Sequence, residues 1–487
     1  MIEDSFFKVK PWENQREGAR RASESPDGFG FFFEVGTGKT MTTVSTLRLK
    51  YLEAQRLKRT FILGPAIVLN NWKRELLFHS NLSANVIHVL TGSGKKRIQA
   101  IEKIIQDGQH WDEGSIIITN YEAIGRMKGF TEAILKWKPE ILVLDESHRC
   151  KSIGAKQTKE AIKIADTVDH SYLLTGTPIL NSMLDIFSQF RILDKGATFG
   201  KQFYSFRGKY FYDKNSGMPG DKHFPNFVPR KGAAEEINLL IRKKAMYVEK
   251  SDCLDLPPLV RHKVEVEMST EQKKAYTSMQ KDFVAYIESE KPEAAIAELA
   301  ITKALRLQQI TTGFVGTEDI DSNKGIHKFK TNPRKDALKE LLTDLAPKHK
   351  ILVWAVFKEN YNDIREVCEK LKIKYVEVHG GISQDDKMAS VDKFNDDDTY
   401  RVFIGHPRSG GIGINLVPSD VSIFYSRNFS LENDIQAEAR NYRGGSERHE
   451  KVTRIDIVTP GTIDEKVLEA LASKKNIGYK VLREMVL

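Results

Sequence analysis

The sequence predicts an α/β protein of two lobes, each a parallel sheet covered by helices, with a mainly helical insertion or linker region between them. Three observations carry this. Short, strongly apolar runs each stop at a polar or glycine-containing loop, as strands of a parallel sheet covered on both faces do. Segments of helical periodicity alternate with these runs in two separate groups. A chain of 487 residues is long enough for two or three domains, each with its own core.

In the first lobe, residues 1–190, the strand candidates are FGFFFE, TFILGP, SIIITN, EILVLDE and YLLTG. In the second, 331–487, they are KILVWAVF, KYVEVHG, YRVFIG, VSIFYS and TRIDIV, with YNDIREVCEKLK, DDKMASVDKFN and LENDIQAEARNY as helices. The stretch 191–330 reads as a separate region. It holds helical patterns, AAEEINLLIRKKA among them, and a Lys/Glu-rich helix over 269–303 that reads as a solvated face. It also holds a segment, 195–231, crowded with aromatic and basic residues.

Composition removes several classes. At 40% hydrophobic and 29% charged residues, with no run of about 20 uncharged apolar residues, a membrane-spanning helix is not expected. The acidic start MIEDSFFKVK lacks the apolar core of a signal peptide. Cys150, Cys253 and Cys368 have neither disulfide-framework nor zinc spacing. These features fit a reducing cytoplasm. The net charge of +9 points mildly to a polyanionic partner.

In open parallel sheets ligands sit beyond the carboxyl ends of the strands. There FGFFFEVGTGKT ends in Gly36, Thr37, Gly38, Lys39 and Thr40. The phosphate-loop spacing G-x-x-x-x-G-K-[ST] is met except at its first glycine, where Phe33 stands. A helix starting after Gly38 would turn backbone N–H groups and its positive dipole end toward a phosphate. Lys39 would reach the β/γ-phosphates and Thr40 would ligate Mg²⁺. The alternative is an ordinary glycine turn. LVLDESH then places Asp145 and Glu146 at a strand end, where one carboxylate can hold Mg²⁺ and the other polarise water. A solvated acidic turn is the alternative. Gln436, Arg440 and Arg443 fall at i, i+4 and i+7, one face of a helix; that face is either a salt-bridged stripe or a pair of arginine fingers. TGSGKK at 91–96 lacks the Ser/Thr after its lysines and reads as a basic loop. His79, His88, His110 and His148 form no metal pattern.

These motifs, in this order, resemble superfamily 2 helicases and translocases, particularly the Swi/Snf-like branch. Gln15 in PWENQREG matches the adenine-reading glutamine; GPAIVLNNWKRE and ITNYE match the next motifs. DESHRCK resembles motif II with Ser147 in place of alanine, and LTGTPILN resembles motif III. PRSGGIGINL and QAEARNYR are similar to motifs V and VI, with Ser409 and the GGS continuation as departures. The resemblance implies two RecA-like lobes, ATP and Mg²⁺ as cofactors, and hydrolysis on closure. Lys39, Asp145, Glu146, Gln436, Arg440 and Arg443 would be catalytic. Gln15, Gly36, Thr37, Gly38, Lys39, Thr40 and Gly413 would bind nucleotide, and Thr40 and Asp145 the metal. Pro65, Asn120, Pro407, Arg408, Gly410 and Gly411 would contact a strand. Compact phage helicases acting on branched DNA are similar more distantly, and His148 reads as a motif II contact.

Glycine-loop amides hold phosphates without reading bases, so DNA binding is expected to be largely sequence-independent and salt-sensitive. In 195–231, Tyr210, Phe211 and Tyr212 are candidates to stack on splayed bases; the alternative is a satellite core. The expectation is a monomeric ATP-driven DNA translocase or helicase. An RNA helicase of the same superfamily and an ATP-gated DNA clamp are its rivals.

Overall fold

The computed structural model describes residues 7–108, 114–180, 182–217, 225–287, 293–316, 325–408 and 414–483. The chain divides into two compact units. One comprises 1–217, 224–254 and 474–487; the other comprises 218–223 and 255–473.

In the first unit the strands are β1 (Gly28–Phe33), β2 (Thr60–Gly64), β3 (Ile87–Val89), β4 (Ile116–Asn120), β5 (Ile141–Asp145), β6 (His170–Leu174) and β9 (Ala245–Val248), with β7 (Phe211–Asp213) and β8 (Phe227–Pro229) forming a separate antiparallel hairpin. The sheet is seven-stranded, in the order β3-β4-β2-β5-β6-β1-β9. Its ladders are parallel throughout. Alternate residues of each strand enter opposite cores, as a pleated strand requires. Phe32, Leu63, Ile117, Leu142 and Leu173 join one buried cluster; Phe31, Ile62, Ile118, Val143 and Leu174 join the other. Burial on both faces is why these runs are almost continuously apolar.

The second unit repeats the design. Its strands are β10 (Leu259–Glu265), β11 (Phe314–Gly316), β12 (Ile326–Lys328), β13 (Ile351–Trp354), β14 (Lys374–Val378), β15 (Tyr400–Gly405), β16 (Val421–Phe424) and β17 (Val452–Val458). Six of them form a parallel sheet in the order β10-β17-β16-β13-β15-β14. The remaining two pair as an antiparallel hairpin.

All ten anticipated strands are present. The region 191–330, expected as separate, is instead shared between the two units. β9 completes the first sheet beside β1, and β10 completes the second beside β17. The expected solvated helix over 269–303 is two helices, Thr270–Ile287 and Glu293–Thr311. One face of the pair is core: Tyr276, Leu307 and Ile310 pack with Phe329 and Ile463. The Tyr276 hydroxyl accepts a 2.8 Å hydrogen bond from the Ile463 amide.

The aromatics of 195–231 also divide. Tyr210 and Phe211 are 4% and 2% exposed and pack with Phe206, Phe199 and Phe187 in the first unit's core. Their assignment as base-stacking residues is therefore corrected: buried rings cannot reach a strand. Tyr212, the next residue along the strand, points the other way and is 45% exposed.

Candidate functional site

The nucleotide-loop candidate joins β1 to the helix Lys39–Ala54 at the carboxyl edge of the first sheet. Gly36 and Gly38 have φ of +92° and +87°, which a side chain would strain. A Cβ on Gly38 would also overlap the Gln15 amide. That amide is held in place by its oxygen, which accepts from the Trp12 N–H at 2.9 Å. Lys39 Nζ donates to the carbonyls of Phe33 (2.9 Å) and Glu34 (3.2 Å). Phe33 is fully buried at the end of β1. A regular strand residue serves there, so the missing first glycine leaves the rest of the turn intact.

Asp145 ends β5, on the same carboxyl edge. Its Oδ2 accepts from Trp72 Nε1 at 2.9 Å, and its carbonyl accepts from the Tyr121 hydroxyl at 2.8 Å. Burial, then the neighbouring Glu146 charge, pushes the Asp145 carboxyl up to about 6, against the opposing pull of Trp72 and Lys39. Glu146 stands in the left-handed region at φ 54°, a conformation that costs a non-glycine residue about 1–3 kcal/mol. A half-buried carboxyl pair on one edge with a hydroxyl and an ammonium fits Mg²⁺ and a triphosphate. Thr40 and Asp145 would supply hard oxygen ligands and Lys39 a phosphate contact.

The acid pair is wired to the end of β6 and to the TGTP turn at 175–178. His148 is 2% exposed; its Nδ1 lies 2.9 Å from Thr175 Oγ1 and 3.4 Å from Glu146 Oε2. Thr175 Oγ1 in turn accepts from the Thr177 N–H at 3.0 Å. Ser147, the departure from alanine, donates to Gln189 Oε1 at 2.8 Å, and Gln189 Nε2 donates to the Pro178 carbonyl at 2.7 Å. Hydrogen bonds thereby tie both residues after the acid pair, Ser147 and His148, to that turn.

In the second unit the helix carrying Gln436 is Leu431–Glu438. It ends before Arg440 and Arg443, which lie in the turn beyond it, so the expected single helical face is corrected. The helix stops where the chain turns inward. Arg440 is 4% exposed and its carbonyl accepts from the Leu416 N–H at 3.0 Å. Arg443 is half-buried, and Gln436 Nε2 bonds Glu432 at 3.2 Å. Ion pairs, most of them buried, fix the helix to the sheet. Arg454 pairs with Asp434 (2.7 Å) and Glu438 (2.5 Å), Arg261 pairs with Glu438 (2.6 Å), and Arg427 pairs with Asp456. The Arg454 and Arg427 guanidiniums lie 4.1 and 4.4 Å from the Phe424 ring centroid. Burial and the nearby Arg454 charge push Arg427 down to about 9.

Among the strand-contact candidates, Pro65 and Pro407 are buried and Arg408 is exposed. Buried prolines can shape a loop but not touch a ligand themselves. Asn120 Oδ1 accepts from Arg97 Nη1 at 2.6 Å. Gly410, Gly411 and Gly413, with Ser409, lie outside the described residues. The expected basic loop at 91–96 instead leads into the helix Gly94–Gly108, whose Arg97 is buried against Thr119 and Asn120. Trp72, Tyr121, Arg97, Thr175 and Gln189 were absent from the site read from sequence. Trp72, Tyr121 and Thr175 carried a signal by lying inside recognised motifs, GPAIVLNNWKRE, ITNYE and LTGTPILN; Arg97 and Gln189 carried none.

A glycine turn on a parallel strand's end, with a lysine and an Asp–Glu pair on the same edge, defines a nucleoside-triphosphate-binding α/β protein. The chain belongs to the SNF2-related family: the SNF2-related domain matches residues 21–313, and the helicase conserved C-terminal domain matches 333–445. Chromodomain-helicase-DNA-binding protein 7 of Gallus gallus is 26% identical over 93% of this chain, which spans 15% of that protein. The ISWI chromatin-remodeling complex ATPase ISW1 of Saccharomyces cerevisiae is 25% identical, this chain spanning 38% of it. Protein p41 of Acyrthosiphon pisum secondary endosymbiont phage 1 is 26% identical over 93% of both chains. The Sulfolobus solfataricus SWI2/SNF2 ATPase core in complex with dsDNA aligns over 99% of this chain and 94% of its own, at 20% identity and a TM-score of 0.45. Among the described residues no helix is long and apolar enough to cross a membrane.

Proposed function

We propose that this chain is a DNA-dependent ATPase that converts ATP hydrolysis into movement along DNA, with remodelling or unwinding, including of branched DNA, as its output. One observation carries the reading: the carboxyl edge of the first sheet brings together a lysine-bearing glycine turn and a half-buried Asp–Glu pair. Lys39 binds the β/γ-phosphates, Gln15 contacts the base, and Thr40 with Asp145 holds Mg²⁺, which neutralises charge on the phosphates. Glu146 orients and polarises the attacking water. Arg443 acts as the arginine finger; Arg440, buried in its own turn, positions that turn. Family membership supports the reaction, and the names of the ATPase and helicase relatives agree with it.

The test is ATP turnover by the full chain with single-stranded, duplex and branched DNA beside RNA, paired with strand displacement. Stimulation by DNA over RNA supports the proposal. Stimulation by RNA alone transfers it to an RNA helicase. ATP-dependent DNA retention without turnover leaves only a clamp.

A further inference from the structure

The helix Phe203–Tyr210 and the β7–β8 hairpin rest on the first unit's core but present an outward surface of unusual chemistry. Tyr204 is 74% exposed, the most exposed large aromatic among the described residues. Three residues on, one helical turn away, the Arg207 guanidinium lies 4.0 Å from the Phe227 ring centroid and 5.0 Å from that of Tyr204. Among the described residues no carboxylate pairs with Arg207. Rings hold its faces, so its N–H edges remain for another acceptor. The platform is rigid: Phe203 packs edge-on against buried Phe187 at 5.4 Å, and Phe206 at 5.1 Å. The segment 195–231 carries eight Lys/Arg against two Asp, and Lys201, Arg230 and Lys231 in it are exposed.

We propose that Tyr204 and Arg207, backed by Phe227, form a stacking site for an unpaired base of a DNA strand. The inference rests on the DNA-directed function above and adds to it a preference for forked or single-stranded DNA. Tyr204 supplies a flat ring that any base can cover. Arg207 supplies a guanidinium already stacked, with its donors directed to the adjoining phosphate, and the surrounding cations follow the backbone. An acidic protein partner would satisfy the charge but would leave an exposed tyrosine ring and a ring-stacked guanidinium without a matching flat group. Tyr212 belongs elsewhere. It pairs with Val228, whereas Phe227 pairs with Asp213, so Tyr212 and Phe227 lie on opposite faces of the hairpin.

The experiment uses the full chain, a forked duplex with 2-aminopurine in its single-stranded arm, and a blunt duplex of equal length. The expected result is quenching of the probe on binding. Tyr204→Ala should weaken fork affinity by on the order of tenfold while moving blunt-duplex affinity by less than about twofold. Tyr204→Trp should retain fork affinity, Arg207→Gln should weaken it, and Tyr212→Ala should leave it alone. Equal losses on fork and blunt duplex would overturn the inference in favour of a general phosphate contact. No loss on either, with wild-type chain binding both, would overturn it and leave the face to a protein. A wild-type chain that binds neither DNA nor hydrolyses ATP with it would overturn the function on which the inference rests.

Discussion

Asp145 shows how the first unit's site trades stability for chemistry. Its carboxyl is pushed up to about 6, above its value in an unfolded chain. The ionised form is therefore disfavoured in the folded state, and that cost begins to shrink as the pH falls through about 6 and is gone only below the ordinary aspartate value of 3.8. Asp145→Asn keeps an oxygen for Trp72 Nε1 and removes the charge. The nucleotide-free variant should be more stable than the wild type at pH 7 in urea denaturation, with the gain shrinking as the pH falls through about 6. Its Mg²⁺-dependent ATP hydrolysis should be lost. Lys39→Ala should abolish hydrolysis by at least ~10²-fold while DNA binding persists, measured on one preparation by phosphate release and fluorescence anisotropy. Arg443→Ala should lower kcat by on the order of 10³-fold with little change in nucleotide affinity, because a finger acts in the transition state. Steady-state kinetics beside nucleotide titration separates the two quantities. At this scale the sequence was most informative about residues that would touch the nucleotide. It did not say which residues support them, because Trp72, Thr175 and Gln189 meet Asp145, His148 and Ser147 only after distant strands are laid side by side.

Elements were legible in proportion to how deeply they are buried. Every strand announced by an apolar run exists, since a central parallel strand must be apolar on both faces. The unannounced ones are edge strands. β3 is half-covered, and β10, LVRHKVE, is largely exposed along its length. β9, AMYV, is short and follows a helix directly. The arginine turn was misread because periodicity continued past the point where the helix ends at Glu438. The acids Asp434 and Glu438 one turn apart were the visible hint that arginines oppose that helix. The aromatic segment illustrates the remaining ambiguity: composition cannot separate a core ring from a surface one. Tyr210→Ala and Phe211→Ala should each cost about 3–5 kcal/mol, whereas Tyr212→Ala should stay within ~1 kcal/mol. Thermal unfolding of the three single variants checks the division.

For the molecule as a whole, the charge of +9 belongs to association more than to fold. DNA affinity should fall by on the order of 10³-fold between ~50 and ~200 mM salt if about six phosphates are neutralised, with little dependence on base sequence. A salt titration with two unrelated duplexes of equal length tests both statements. A flat response, or a strong preference for one sequence, would contradict backbone binding. The two-unit division was largely visible beforehand. Its boundary was not, because the stretch between the apolar groups donates one strand to each sheet.

That donation sets a timetable for synthesis. β1 lies between β6 and β9, so the strand bearing the nucleotide turn leaves the ribosome long before either neighbour exists. Elongation at ~5–20 residues per second puts roughly ten to forty seconds between the emergence of Phe33 and that of Val248. Until Leu174 emerges GFGFFF has no sheet neighbour, and until Val248 emerges one edge of this wholly apolar strand stays open, the kind of segment that seeks other chains. The helix Glu13–Glu24, made before the strand, and then β6 are the parts of the chain that can cover it before residue 248 arrives. The second edge of the strand that carries the nucleotide turn closes only with β9.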